Sequence, residues 1–152
     1  MKIISGAQTG ADQAGLDVAH KLGLITGGFI TKDWKTSEGK LDKTYVDKMH
    51  LTSIATTSYE DRTYKNVEES DGTIRLCVNH NTLGEKCTFK AITKYHKPYI
   101  DVDLLNPINP NIVKQWIADN KIETLNIAGN TQWTEKFDIY KMTYDYLMEV
   151  LK

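Results

Sequence analysis

The sequence predicts an α/β protein, a single domain with a mostly parallel sheet flanked by helices. Strand-like runs recur at residues 2–5, 73–78, 98–102 and 123–128, and helical periodicity fills most of the gaps between them. Alternation of the two periods is the pattern of parallel strands joined by crossover helices. In addition, the first strand runs straight into a glycine-bearing polar turn and then a helix, an arrangement suited to anions.

Ile3-Ile4 is the apolar body of the first strand, which passes at Gly6 into the turn Gly6-Ala7-Gln8-Thr9-Gly10. Glycine at positions 6 and 10 permits positive φ and close approach of a ligand to the backbone. The N–H groups of such a turn, with those of the helix behind it, can converge on a phosphate. That helix, at 11–22, carries Ala14, Leu16, Ala19 and Leu22 on one face. The turn has neither the Gly-Lys-Ser/Thr of a P-loop nor the Gly-x-Gly-x-x-Gly of a dinucleotide fold.

Residues 29–57 follow neither period, and Trp34, Tyr45 and Leu51 argue against disorder. A long loop folded over one end of the sheet and covering the ligand is expected there. Residues 59–67 read as a polar helix, 86–95 as the crossover after the 73–78 strand, and 111–119 as a helix with Ile112, Val113, Trp116 and Ile117 at helical spacing. The helix at 136–151 closes the chain, with Ile139, Met142, Tyr146, Leu147 and Val150 inward. Trp116, Tyr140, Tyr144 and Tyr146 serve packing or subunit contact, and a homo-oligomer is plausible.

A chain of 152 residues buries a sizeable core without staples. Its net charge of -1 gives no global field for nucleic acid or an anionic membrane, so neither is an expected partner. Cys77 and Cys87 lack metal-ligand spacing, the four histidines are scattered as surface or helix-end residues, and no metal site is expected. The Ile3-Ile4 run is too short for a signal peptide, and no window approaches the ~20 apolar residues of a membrane span. A cytoplasmic protein is expected.

Ligands of open α/β sheets bind beyond the carboxyl ends of the strands. The loops there are 6–12, 79–88 and 129–134, all rich in neutral hydrogen-bonding side chains. Asp12 either caps the first helix or meets a ligand hydroxyl or metal. Gln8 and Thr9 project from the turn toward a ligand. Arg62 is solvated, clamps an anion, or pairs with Asp71, with Asn66 as a weaker companion. Trp34, with Lys32 and Lys35 nearby, either stacks on a ring while the lysines meet its phosphates or anchors its loop. Asn126, Asn130 and Thr131 surround Gly129, in ligand contact or a plain turn.

These residues also form a string. Gly6-Ala7-Gln8-Thr9-Gly10-Ala11-Asp12, Gly15-Leu16-Asp17-Val18-Ala19, Leu22-Gly23, Gly27-Gly28, Glu38-Gly39, Tyr59, Arg62-Thr63, Asn66-Val67, Ser70-Asp71-Gly72-Thr73 and Leu125-Asn126-Ile127-Ala128-Gly129 resemble the molybdenum-cofactor carrier family. That family lies in a Rossmann-like superfamily shared with the Lonely Guy cytokinin-activating enzymes and the nucleotide-sensing SLOG domains. The resemblance implies a cytoplasmic binder of a phosphate-bearing pterin, such as molybdenum cofactor, or of a nucleotide. The 6–12 and Gly84 loops would face each other across its site.

Two departures stand out. Ala7 replaces the family's second glycine, and Leu83-Gly84-Glu85-Lys86-Cys87-Thr88 replaces its Gly-Thr loop. A carboxylate beside a phosphate is repulsive unless it points away or a cation intervenes, and Lys86 could compensate. Thr88 stands where Lonely Guy enzymes need a glutamate, which weighs against their phosphoribohydrolase activity.

The residues therefore predict a binding protein that carries, senses or sequesters a phosphorylated small molecule. The alternative is a nucleotide-processing hydrolase or transferase using Asp12, Glu38, Glu85 or Asp101.

Overall fold

The computed structural model describes residues 1–152. Its sheet holds six parallel strands: β1 (Lys2–Ile4), β2 (Ile25–Ile30), β5 (Leu51–Ser53), β6 (Gly72–Cys77), β7 (Tyr99–Asp103) and β8 (Thr124–Gly129). Their order is β5-β2-β1-β8-β6-β7. The last strand thus fills the centre beside the first, with Ile3 opposite Leu125 and Ile74 opposite Ile127. Strand order runs outward from β1 on one side and from β6 to β7 on the other, so the switch point lies at the centre of the sheet.

The helices are α1 (Ala11–Lys21), α2 (Lys43–Lys48), α3 (Tyr59–Glu69), α4 (Leu83–Tyr95), α5 (Pro110–Asp119) and α6 (Ile139–Leu151). A 3-10 turn at Thr134–Lys136 precedes α6. Helix α6 packs between α1 and α5, whereas α3 and α4 pack on each other. Short polar residues set most of the starts. Ser58 caps α3 through the Asp61 N–H, Asn109 precedes Pro110 at the start of α5, and Asp138 accepts from Lys141 N at the start of α6. The main core joins the sheet to α1, α5 and α6 through Ile3, Val18, Ile74, Leu76, Leu125, Ile127 and Leu147. Each such side chain contributes about 1.5–3 kcal/mol by leaving water.

The tyrosines of α6 are used inside the molecule. Tyr140 donates to Asp17 Oδ2 at 2.5 Å and stacks on Tyr144, and Tyr146 donates to the Ile108 carbonyl. No helix is long and apolar enough to cross a membrane.

The stretch at 29–57, expected to be a loop, is instead built from short elements. It contains the end of β2, a two-stranded antiparallel ribbon of β3 (Lys35–Thr36) and β4 (Gly39–Lys40), then α2 and β5. Each is too short to display a period. The strand β2 reads poorly because Gly27 and Gly28 occupy its middle. Backbone packing explains one of them, since a Cβ on Gly28 would lie 2.0 Å from the Ser5 carbonyl oxygen. The segment is anchored by a second core of Ala7, Leu16, Ile30, Val46 and Met49.

Candidate functional site

A polar cleft lies at the carboxyl ends of β1, β8 and β6, where the topology places it. Its floor is Asn126, Ile127, Ala128 and Gly129 of β8. One wall is the turn after β1, with Arg62, Thr63 and Asn66 of α3 over it, and the other is the first turns of α4.

The turn after β1 is closed by its own side chains. Ser5 Oγ accepts from Ala7 N, Asp12 Oδ2 accepts from Gln8 N, Gln8 Oε1 accepts from Thr9 N, and the Asn130 carbonyl accepts from Ala11 N. These N–H groups are therefore engaged within the protein. Asp12 holds this part of the turn shut. Asp12 does not cap α1, whose N-cap is Gly10 with no side-chain bond; the carboxylate reaches back along the chain instead. Ala7 adopts φ +56°, a left-handed conformation that costs an L-residue roughly 1–2 kcal/mol. Its buried methyl packs in the second core.

Gln8 and Thr9 also tie down the ribbon above them. Gln8 Oε1 accepts from Ser37 N at 2.8 Å, and the Thr9 and Ser37 hydroxyls lie 2.6 Å apart. Gly10 is required by packing, because a Cβ there would meet the Asn130 carbonyl oxygen at 2.5 Å.

Arg62 projects from α3 across the turn, 8% exposed. Its Nη1 donates to the Gly6 carbonyl at 2.9 Å, the Tyr59 ring lies 5.1 Å from its Cζ, and no carboxylate comes within 4.0 Å. Gly6 makes room for it, since a Cβ at Gly6 would lie 2.7 Å from Arg62 Cδ and Nε. The expected pairing with Asp71 does not form. Asp71 Oδ2 accepts from the Glu123 and Thr124 N–H groups and locks the start of β8.

On the facing wall, Thr82 caps α4 and Glu85 turns inward, 4% exposed. Oε2 of Glu85 accepts from the Thr82 hydroxyl and from Asn130 Nδ2. Asn130 is itself fixed, its Oδ1 accepting from Val78 N and Asn79 N. Burial pushes the Asp12 carboxyl up to about 6 against the opposing pull of Arg62, with Glu85 adding to the rise. Burial likewise raises Glu85 above the usual carboxylate range, offset in part by the Thr82 and Asn130 hydrogen bonds.

Of the residues singled out from the sequence, Gly6, Gln8, Asp12, Arg62 and Asn66 line the cleft on one side. Gly84, Glu85, Thr88 and Gly129 line it elsewhere. Asn66 is spent on structure, its amide bridging the Phe29 backbone and the Arg62 carbonyl. Ala7, Thr9 and Gly10 lie behind the turn, and Asn130 lies behind Glu85. Lys32 and Trp34 are outside the cleft. Trp34 anchors its segment, donating from Nε1 to Ser53 Oγ at 2.7 Å beneath the Lys40 ammonium. Lys86 points into a separate groove with Arg75 and His80, so it does not compensate Glu85. His80 is half-buried in the loop before α4, and its Nε2 is enclosed without a partner. Thr63, quoted in the string only beside Arg62 and given no role of its own, also lines the cleft. The inward turn of Glu85 did have a signal, the capping pattern Thr82-x-x-Glu85.

A parallel sheet with helices on both faces, a central switch point and a polar cleft above it define a Rossmann-like α/β domain. The chain belongs to the circularly permutated YpsA SLOG family, whose model matches residues 3–151. It is similar to a solved structure from Syntrophus aciditrophicus SB named "Putative molybdenum carrier protein". The two are 34% identical with a TM-score of 0.88, covering 99% of this chain and 94% of that one. The structure of (E)-4-hydroxy-3-methyl-but-2-enyl diphosphate reductase is 10% identical with a TM-score of 0.39, covers 98% of this chain and 59% of that one, and carries no argument. No curated protein matches the chain.

Proposed function

We propose that this chain is a binding protein for a phosphorylated small molecule, a pterin such as molybdenum cofactor or a nucleotide, which it carries, senses or sequesters. The observation that carries the proposal is Arg62, a buried guanidinium lining the cleft with one hydrogen bond to protein and no carboxylate partner. A guanidinium so placed retains donors for a bidentate bond to an oxyanion, while its desolvation has already been met by the fold. The likeness to a protein named as a molybdenum carrier supports a small-molecule cargo. Native mass spectrometry of freshly purified protein, followed by denaturation and identification of what is released, tests the reading. A phosphorylated pterin supports carriage, an intact nucleotide supports sensing or sequestration, and a ligand with no anionic group contradicts the proposal.

One observation favours a second reading, a nucleotide-processing hydrolase or transferase. Asp12 and Glu85 line the same cleft, and carboxyls raised by burial can exchange protons nearer neutrality. The other two carboxylates considered do not join them, as Glu38 lies exposed beside the ribbon and Asp101 is paired with Arg75. Turnover of a nucleotide that is lost in Asp12→Asn or Glu85→Gln while binding persists would establish this reading. Binding without turnover would exclude it for the nucleotides tried.

A further inference from the structure

We propose that a groove between α1, α2 and α6 is a second ligand site, one that takes a flat aromatic ring carrying an anionic group. The groove has a volume of about 460 Å³ and shares no lining residue with the cleft. Its occupancy does not depend on the phosphate reading of the cleft.

The walls are aromatic and are held in place by one carboxylate. Asp17 Oδ1 accepts from the Tyr45 hydroxyl at 2.9 Å and Oδ2 from the Tyr140 hydroxyl at 2.5 Å, so α1 is joined to both α2 and α6. Burial, reinforced by Asp17, pushes both phenols above their ordinary range, and they stay protonated as donors at neutral pH. Tyr144 stacks on Tyr140, with ring centroids 5.9 Å apart and planes inclined by 27°. Tyr45, Met49, Tyr140 and Tyr144 thus line a groove in which the hydroxyls of two rings are already spent on the protein. Volumes of roughly 300–1,000 Å³ lined by apolar and aromatic side chains, with a few polar groups, are usual for small-molecule sites. The cleft, lined by no aromatic residue, offers no such surface.

The free charge of the groove is positive. Lys21 and Lys48 line it, and neither ammonium comes within 4.0 Å of a carboxylate. The Lys48 ammonium instead lies 5.9 Å from the centroid of the Tyr45 ring. His20, in the last turn of α1, adds a base that is cationic when protonated. Asp17 is the one carboxylate in the lining, and each of its oxygens already accepts a phenol hydrogen. Joining the three helices accounts for Asp17 and its two donors, but not for two unpaired ammoniums beside half-buried rings. A neutral ring would leave the lysines without a counter-charge, and an anion without a ring would leave the tyrosines facing water. A ligand that uses both carries a carboxylate, sulfonate or phosphate on a flat ring, packed offset or edge-on against the tyrosines.

The experiment is an amide NMR titration of the nitrogen-labelled native chain with 2-naphthoate, 2-naphthamide and decahydro-2-naphthoate. The amide lacks the charge, and the decahydro acid keeps the charge and the two-ring frame but is saturated. The native chain is expected to bind 2-naphthoate about 5-fold more tightly than either of the others. The shifts are expected to centre on residues 17–21, 45–49 and 140–144. In the double variant Lys21→Gln/Lys48→Gln the advantage over 2-naphthamide should vanish, and in Tyr144→Leu the advantage over decahydro-2-naphthoate should shrink. Thermal melting reports whether each variant is folded. Equal binding of the three probes, no binding at millimolar concentration, or shifts centred on α3 and α4 instead overturns the inference. Undiminished advantages in both folded variants overturn it as well. None of these results bears on the phosphate reading of the cleft.

Discussion

Two arginines are buried to nearly the same degree, Arg62 of α3 at 8% exposure and Arg75 of β6 at 6%, yet their surroundings differ in kind. Arg75 donates from Nε and Nη2 to the two oxygens of Asp101 at 2.7 and 2.6 Å and from Nη1 to the Glu85 carbonyl. The rings of Phe89 and Tyr99 also lie against it, at 5.3 and 5.7 Å. Arg62 has one carbonyl and one tyrosine face. A charge removed from water is costly unless paired and hydrogen-bonded, so a saturated arginine is accounted for by the fold and an unsaturated one by something outside it. Location agrees with this distinction. Arg75 is on β6, beside an edge strand, and Arg62 overhangs the central switch point.

The contrast is sharpest in stability. Arg75→Gln is expected to cost about 3 kcal/mol in urea unfolding, because it removes the Nε, Nη1 and Nη2 hydrogen bonds of a buried guanidinium and strips the half-exposed Asp101 of its partner. Arg62→Gln is expected to cost about 1 kcal/mol, one hydrogen bond. Equal costs would break the comparison.

The glycines beneath the turn divide in the same way. Gly10→Ala combines φ +92° with a backbone collision, and about 3 kcal/mol of destabilisation is expected. Gly6→Ala meets only the movable Arg62 side chain, so a loss of about 1 kcal/mol is expected together with weakened anion binding.

Asp12 tests the charge beside Arg62. Its carboxyl, raised from 3.8 to about 6, is neutral in the folded chain over a range in which the unfolded chain has already released the proton. Stability from this group is full below pH ~4 and is lost as pH rises through about 6. Asp12→Asn should therefore gain on the native chain between pH 4 and 7, by no more than about 3 kcal/mol. A stability difference independent of pH would show that Asp12 is not held in this way.

The smallest expected effect is at Gly84. No atom lies within 4 Å of a Cβ built there, and its backbone is ordinary helix. Gly84→Ala should raise the melting free energy by less than about 1 kcal/mol, and any weakening of ligand binding would mark the first turn of α4 as a contact.

Much of this architecture is legible in the chain. Strands β6, β7 and β8 and helices α1, α5 and α6 lie within a few residues of their expected bounds, because apolar periodicity persists through each of them. The segment from β2 to β5 was not legible, since glycine pairs and elements of two to six residues leave no period to follow. Within the cleft, the string around Gly6, Asp12 and Arg62 names residues that share one wall, but not their wiring. That Asp12 closes the turn and that Arg62 lacks a carboxylate depend on the crossing of α3 over β1, which no local pattern encodes.

The measurement that bears most directly on the account is titration calorimetry with inorganic pyrophosphate on the native chain, Arg62→Gln and Arg75→Gln, each confirmed folded. The account predicts that the native chain and Arg75→Gln bind within a few-fold of each other and that Arg62→Gln binds about 100-fold more weakly. Undiminished binding by Arg62→Gln, or no binding by the native chain, would contradict it.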